Sequence, residues 1–211
     1  MIGNNHPKRK VFINKCFKKL KNSVGVKTNM AEKRDIKVVN IVISTSLKHD
    51  IPLEKMAATL SNTEYNPEQF PGLVIRIKEP KTSALIFSSG KVVCTGARSL
   101  DKVEESIKKI IKSLEKINVK ITIKPEIVVQ NIVASGSVGM DLNLNTLAMK
   151  LRNTEYEPEQ FPGLVYKLID PEVKATFLLF SNGKVVCTGT KSEEQVNLAL
   201  DKLIENLKKV R

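Results

Sequence analysis

Asn62–Val74 reads NTEYNPEQFPGLV and Asn153–Val165 reads NTEYEPEQFPGLV, with twelve of thirteen positions matching at an offset of 91. Self-similarity at a fixed period marks a duplicated unit. The match extends outward from these stretches in both directions. Downstream, Phe87–Gly96 (FSSGKVVCTG) agrees with Phe180–Gly189 (FSNGKVVCTG) at nine of ten positions. Upstream, Asn40-Ile-Val aligns with Asn131-Ile-Val, again at an offset of 91. The chain therefore carries two copies of roughly 90 residues. They differ by a small insertion: Pro80 to Phe87 spans PKTSALIF, and Pro171 to Phe180 spans PEVKATFLLF, two residues longer. Both prolines sit where a strand should turn, so the extra residues are expected to enlarge a hairpin loop.

Each copy reads as strand, helix, several strands and a long helix. Lys37–Ser44 is rich in Val and Ile, the composition of a strand. Pro52 suits a first helical turn and opens a short helix to about Leu60. Leu73–Lys78, Ala84–Phe87 and Lys91–Thr95 are short strands, the last two joined by a Ser-Ser-Gly turn. In Leu100–Ile117, Val103, Ile107, Ile110, Ile111, Leu114 and Ile117 follow helical spacing, with Lys108, Lys109, Lys112 and Glu115 outside. The second copy ends likewise through Val196, Leu200, Leu203 and Leu207. About five strands and two helices per copy, with one sheet face covered, leave the other face for solvent or a partner.

Composition narrows the partner class. The 211 residues carry a net charge of +13, which favours polyanions. Eight of the 35 basic residues lie in the first 29 positions (Lys8, Arg9, Lys10, Lys15, Lys18, Lys19, Lys21, Lys27), with no Asp or Glu among them. The remaining 27 face 22 acidic residues, so the body is only mildly basic at +5 and charge alone does not establish DNA binding. Cys16, Cys94 and Cys187 are odd in number and lack CxxC spacing, which suits a reducing interior and offers no metal site. No apolar run is long enough for a membrane span, and the first 29 residues lack the features of a secretory signal.

Strand parity sorts the side chains into two faces. Asn40 goes with Val42, Leu85 with Phe87 opposite Ile86, and Val93 with Thr95 opposite Cys94. The second copy gives Asn131 with Val133, Leu178 with Phe180, and Val186 with Thr188. Parity alone leaves open which face meets the helices. An ordinary core of Val, Leu and Phe, with Asn and Thr decorating strand ends, fits the pattern as well.

The duplicated Glu-Tyr-x-Pro-Glu-Gln-Phe-Pro-Gly-Leu-Val and Phe-Ser-x-Gly-Lys-Val-Val-Cys-Thr-Gly motifs resemble the core of the TATA-box-binding proteins, archaeal type. The resemblance covers Lys37 to about Val210. It implies an α+β saddle in which two pseudo-symmetric repeats form one curved ten-stranded antiparallel sheet with four helices on the convex face. It divides the chain into a basic N-terminal extension (1–34), a first repeat (35–124) and a second repeat (125–211). It implies a general transcription initiation factor that binds the minor groove of A·T-rich TATA-box DNA. Such a protein kinks the duplex and recruits transcription factor B and, indirectly, RNA polymerase.

Carried onto this sequence, the family's wedging phenylalanines fall on Phe70, Phe87, Phe161 and Phe180. Apolar rings suit insertion because they replace base stacking without demanding hydrogen bonds. The base-contacting positions fall on Asn40, Asn131, Thr95 and Thr188, surrounded by Val42, Val93, Val133, Val186, Leu85 and Leu178. Phosphate contacts fall on Arg76, Lys91, Lys167 and Lys184. Lys167 stands where Arg is common, so a bidentate contact becomes a point charge. Glu157, Glu159 and Gln160 resemble the acidic stirrup that receives transcription factor B. The first copy carries an acidic turn as well, Asn66-Pro67-Glu68-Gln69, and this near-symmetry is what favours the archaeal type.

The extension has no counterpart in the family core. It reads as a disordered lysine-rich arm, as residues upstream of a true start at Met30, or as a short basic helix lined by Ile13, Cys16, Phe17 and Leu20. Nothing catalytic emerges. His6 and His49 have no partner at readable spacing, and neither GxxxxGK[ST] nor GxGxxG occurs. The expectation is a non-enzymatic protein without cofactor, metal, small-molecule substrate or membrane partner, cytoplasmic and nucleoid-associated in a cell without a nucleus. A protein-interaction adaptor that kept the fold but lost DNA binding is the alternative. The four Phe and the Asn/Thr quartet separate the two, since an adaptor has no reason to keep them together.

Overall fold

In each repeat a long helix lies across one sheet face because its apolar side chains and the strands' inward residues can be buried only against each other. The computed structural model describes residues 36–210, which fall within one compact unit. The extension at 1–34, with Cys16, lies outside the described residues. The first repeat runs β1 (Lys37–Ser46), α1 (Leu53–Thr59), β2 (Thr63–Glu64), β3 (Gly72–Ile77), β4 (Thr82–Phe87), β5 (Lys91–Ala97) and α2 (Leu100–Glu115). The second runs β6 (Val128–Ser137), α3 (Leu144–Lys150), β7 (Thr154–Glu155), β8 (Leu164–Ile169), β9 (Lys174–Leu179), β10 (Lys184–Thr190) and α4 (Glu193–Val210).

All ten strands join one curved antiparallel sheet in the order β2-β3-β4-β5-β1-β6-β10-β9-β8-β7. The order reads the same from either end once the repeats are exchanged. The register locates the pseudo-two-fold axis. Ile41 pairs with Ile132, its own equivalent, while Asn40 pairs with Val133 and Val42 with Asn131. On either side the pairing slips by one residue, between Val38 and Asn40 and between Val42 and Ile43. The residues left over are Val39 and Gln130, again 91 apart. Such bulges bend a strand and increase its twist, so the curvature at the join is written symmetrically into both copies.

Behind the sheet, Ile41, Ile43, Ile75, Ile86, Val92 and Cys94 meet Val103, Ile107, Ile110 and Leu114 of α2. The second core sets Tyr166, Leu168, Phe177, Leu179, Val185 and Cys187 against Ala199, Leu200, Leu203 and Leu207 of α4. Ser99 caps α2 by accepting from the Lys102 N–H at 3.4 Å, and Ser192 accepts from the Gln195 N–H at 3.2 Å. Asn143 caps α3 at 3.0 Å. Pro52 proves to be the N-cap of α1 and not its first helical residue. The two-residue edge strands β2 and β7 escape a reading by composition because they have no periodicity to detect.

The insertion does not enlarge the hairpin loop, contrary to the sequence expectation. Residues 78–81 and 170–173 are connections of equal length. The extra residues instead add the rung Ile169↔Lys174 at the hairpin end, where the corresponding Lys78 and Lys81 are unpaired, while Gly72↔Phe87 has no counterpart in the second repeat, so each ladder has six rungs. Lys202 of α4 holds this hairpin through Asp170 at 3.6 Å and Glu172 at 3.0 Å.

Candidate nucleic-acid interface

Burial decides the question that parity left open. Ile41 (2% exposed), Ile86 (0%) and Cys94 (0%) lie under the helices. Asn40, Phe87 and Thr95 therefore occupy the opposite, uncovered face, as do Val42, Leu85 and Val93, all of them half-buried. The second repeat places Asn131, Val133, Val186, Thr188 and Phe180 equivalently. Leu178 shares their face but is buried at 7% and stands apart from the helix-side core. Its methyl group would come 3.1 Å from a Cβ built on Gly163, so it lies beneath the phenylalanine pair.

The Asn–Thr pairs are oriented before any ligand arrives. Asn40 Oδ1 accepts from the Gly96 N–H at 2.7 Å, and Asn131 Oδ1 accepts from the Gly189 N–H at 2.8 Å. A backbone N–H can only donate, so the amide oxygen must point at the glycine and the amide nitrogen away from it. That nitrogen donates to Thr95 Oγ1 at 3.1 Å, and in the second repeat to Thr188 Oγ1 at 3.0 Å. Its second proton remains for the open face. Gly96 and Gly189 have φ of +104° and +98°, the left-handed region in which a side chain is strained. Sequence reading missed these glycines as functional, although each follows the critical threonine in both copies.

Two aromatic pairs flank this centre. Phe70 and Phe87 have ring centroids 5.9 Å apart at 62°, and Phe161 and Phe180 are 6.0 Å apart at 64°. Phe70 ends a turn in which its N–H donates to the Asn66 carbonyl at 3.0 Å; Phe161 donates to the Glu157 carbonyl at 2.9 Å. Edge-to-face rings of this kind gain quadrupole complementarity as well as contact. A Cβ at Gly72 would lie 2.7 Å from the Phe70 ring, and one at Gly163 2.6 Å from the Phe161 ring. Phe70 is 38% exposed on this face, and the other three rings of the two pairs are half-buried.

Lys91 and Lys184 begin β5 and β10, following Gly90 and Gly183 in left-handed turns. Arg76 and Lys167 project from β3 and β8 and are already paired, with Glu64 at 2.8 Å and Glu155 at 2.5 Å. Those glutamates were not singled out in the sequence. Glu157, Glu159 and Gln160 are exposed in the turn before Phe161, and Glu68 and Gln69 are exposed in the matching turn. Burial pushes the Cys94 thiol up to about 11 and the Cys187 thiol up to about 12, so neither is a nucleophile near neutrality. Among the described residues no group of three or more metal-ligating side chains occurs, and no helix is long and apolar enough to cross a membrane.

The family model described as "Transcription factor TFIID (or TATA-binding protein, TBP)" matches residues 35–117 and 126–210. The chain belongs to the TATA-binding protein family. The two matched segments of this family follow the two structural repeats. Among its members, the TATA-box-binding protein of Methanocaldococcus jannaschii is 51% identical over 177 residues, covering 84% of this chain and 96% of that protein. The TATA-box-binding protein of Methanothermobacter thermautotrophicus is 53% identical over 168 residues, covering 80% and 92%. The solved structure of the Methanococcus jannaschii TBP superimposes with a TM-score of 0.77 over 83% of this chain and 99% of that one. This is a family of transcription factors and not of enzymes.

Proposed function

We propose that this protein is a general transcription initiation factor that seats its open sheet face in the minor groove of A·T-rich TATA-box promoter DNA. The observation that carries the reading is the duplicated Asn–Thr–Gly arrangement on the uncovered face, in which each amide nitrogen spends one proton on its threonine and has a second proton to offer. In the minor groove A·T and T·A pairs present only acceptors, whereas G·C adds an amino donor. Such donors on an apolar floor of Val42, Val93, Val133 and Val186 thus match A·T and oppose G·C. Family membership supports the same reading, since the relatives are named for binding TATA boxes.

On this reading Phe70 with Phe87, and Phe161 with Phe180, unstack a base step at each end of the site and kink the duplex. Arg76, Lys91, Lys167 and Lys184 meet phosphates and give the binding its salt dependence. Glu157, Glu159 and Gln160 receive transcription factor B, which brings RNA polymerase. The test is a fluorescence-anisotropy titration of a TATA duplex and a G·C-substituted duplex at two salt concentrations. The expected result is tight, salt-sensitive binding that collapses on the G·C duplex. Equal binding to both would reduce the interaction to charge and refute minor-groove readout. Charge reversal at Glu157 and Glu159 is expected to abolish the supershift with transcription factor B while leaving duplex binding intact.

A further inference from the structure

Arg76 and Lys167 are the two rim cations that already hold an anion. Arg76 Nη2 lies 2.8 Å from Glu64 Oε2, and Lys167 Nζ lies 2.5 Å from Glu155 Oε1. The backbone fixes each pairing. The Arg76 N–H donates to the Asn62 carbonyl at 2.9 Å, and the Lys167 N–H donates to the Asn153 carbonyl at 2.9 Å. Each glutamate, two residues beyond its asparagine, is then set beside Val74 or Val165 by the edge ladder. Lys91 and Lys184 have no such carboxylate partner among the described residues. The rim therefore contains two kinds of cation, and the difference is repeated in both copies.

We propose that Glu64 and Glu155 are competing anions that hold Arg76 and Lys167 until a DNA phosphate displaces them, lowering affinity for any duplex and its dependence on salt. The inference rests on the phosphate roles proposed above. All four side chains are more than half exposed, so the pairs are weak and yield readily to a phosphate. When a cation changes partner, the phosphate sheds its counterion while the abandoned glutamate attracts one. The net release at that contact is smaller than at an unpaired lysine. Charge-driven, sequence-independent adhesion is thereby held down without touching the base-reading floor.

The test uses the full chain with Glu64→Gln, Glu155→Gln and the double substitution, titrated with both duplexes over a series of KCl concentrations. The double variant is expected to bind both duplexes more tightly at low salt. Its plot of log K against log [KCl] should steepen by up to about 0.9 per freed cation. In an Arg76→Gln, Lys167→Gln background the same glutamate changes should leave the slope unmoved. An unchanged slope in the wild-type background would overturn the proposal. So would an equal steepening in the background without the cations, since the glutamates would then act only as distant charge. The preference of the unsubstituted protein for TATA over G·C tests the DNA reading separately, so the two can fail independently.

Discussion

Asn40→Asp removes the proposed amide donor and turns the Thr95 hydroxyl, which now accepts from that nitrogen at 3.1 Å, into a donor to the new carboxylate. The oxygen that accepts from the Gly96 N–H at 2.7 Å is retained, so the fold keeps its contact. The amide nitrogen becomes a second carboxylate oxygen. Asn40 pairs with Val133, one residue from the Ile41↔Ile132 axis, so the change falls at the centre of the bound site. A donor facing an A·T acceptor is lost, worth about 1 kcal/mol, and a charged acceptor then faces an acceptor, costing a further 1–3 kcal/mol or so. At roughly 1.4 kcal/mol per tenfold, the TATA duplex should weaken by about 30- to 1,000-fold. A duplex with G·C at the central pairs should lose much less, because its amino group can donate to the new carboxylate. The ratio of the two affinities, by anisotropy at fixed salt, is the decisive quantity. Equal weakening on both duplexes, or a TATA affinity within threefold of the parent, would refute the donor argument. A melting temperature close to that of the parent would rule out misfolding as the cause.

Phe161→Ala with Phe180→Ala should reduce the bend, measured by energy transfer between end-labelled dyes, more than it reduces affinity for a pre-bent or mismatched duplex; an unchanged transfer efficiency would deny these rings the wedge role. Thr190 carries a buried hydroxyl without a hydrogen-bond partner, where the first repeat has Ala97. Thr190→Val should stabilise the protein by about 1–2 kcal/mol in urea denaturation, since an unpaired buried polar group costs that order. The Cys94 and Cys187 thiols have native values raised from 9.0 to about 11 and about 12, so the fold favours their protonated forms. Their stabilisation is complete below pH 9 and is lost as pH rises through the native values. Between pH 9 and 10.5 each thiol should cost roughly 1.5 kcal/mol of unfolding free energy, and a double Cys→Ala variant should show a correspondingly flatter pH dependence.

Duplication made the fold unusually legible. A motif printed twice, with strand parity agreeing in both copies, fixed the two faces of the sheet before either was assigned to the helices. What stayed hidden depends on three-dimensional partners. The Asn40 and Asn131 side chains could be placed on a face, but the direction of each amide comes from a glycine N–H more than fifty residues away. The Glu64–Arg76 and Glu155–Lys167 pairs join residues twelve apart across a hairpin, where no spacing rule of helix or strand applies. The insertion enlarges no loop because extra residues between two strands can move the ladder toward the hairpin end, and sequence length alone does not distinguish the two outcomes. Leu178 could be assigned to its face but not to its depth, since Leu85 stays half-buried although the Phe70 ring lies over Gly72 much as the Phe161 ring lies over Gly163.

The symmetry has a consequence for polarity. About the Ile41↔Ile132 axis most of the floor repeats on both sides: Asn40 with Asn131, Val42 with Val133, Val93 with Val186, Thr95 with Thr188, and both phenylalanine pairs. A floor whose amide, hydroxyl and aromatic groups repeat in its two halves gives those groups no means to tell which way round an A·T-rich site lies, because the minor groove itself barely distinguishes A·T from T·A. On the floor the repeats differ in Leu178, deeper than Leu85, and in Thr176 for Ser83; at the periphery Lys167 stands for Arg76, Ile169 for Lys78 and Glu157 for Asn66. Cations that meet phosphates add affinity but carry no sequence, so they cannot supply direction either. Among these differences, Asn66 against Glu157 is the one in a turn that a protein partner could grip. On the proposed function, then, the saddle finds the site and the partner at the second acidic turn gives it a direction. Mutations on the floor should change where the protein binds, and mutations at Glu157 should change which way transcription runs.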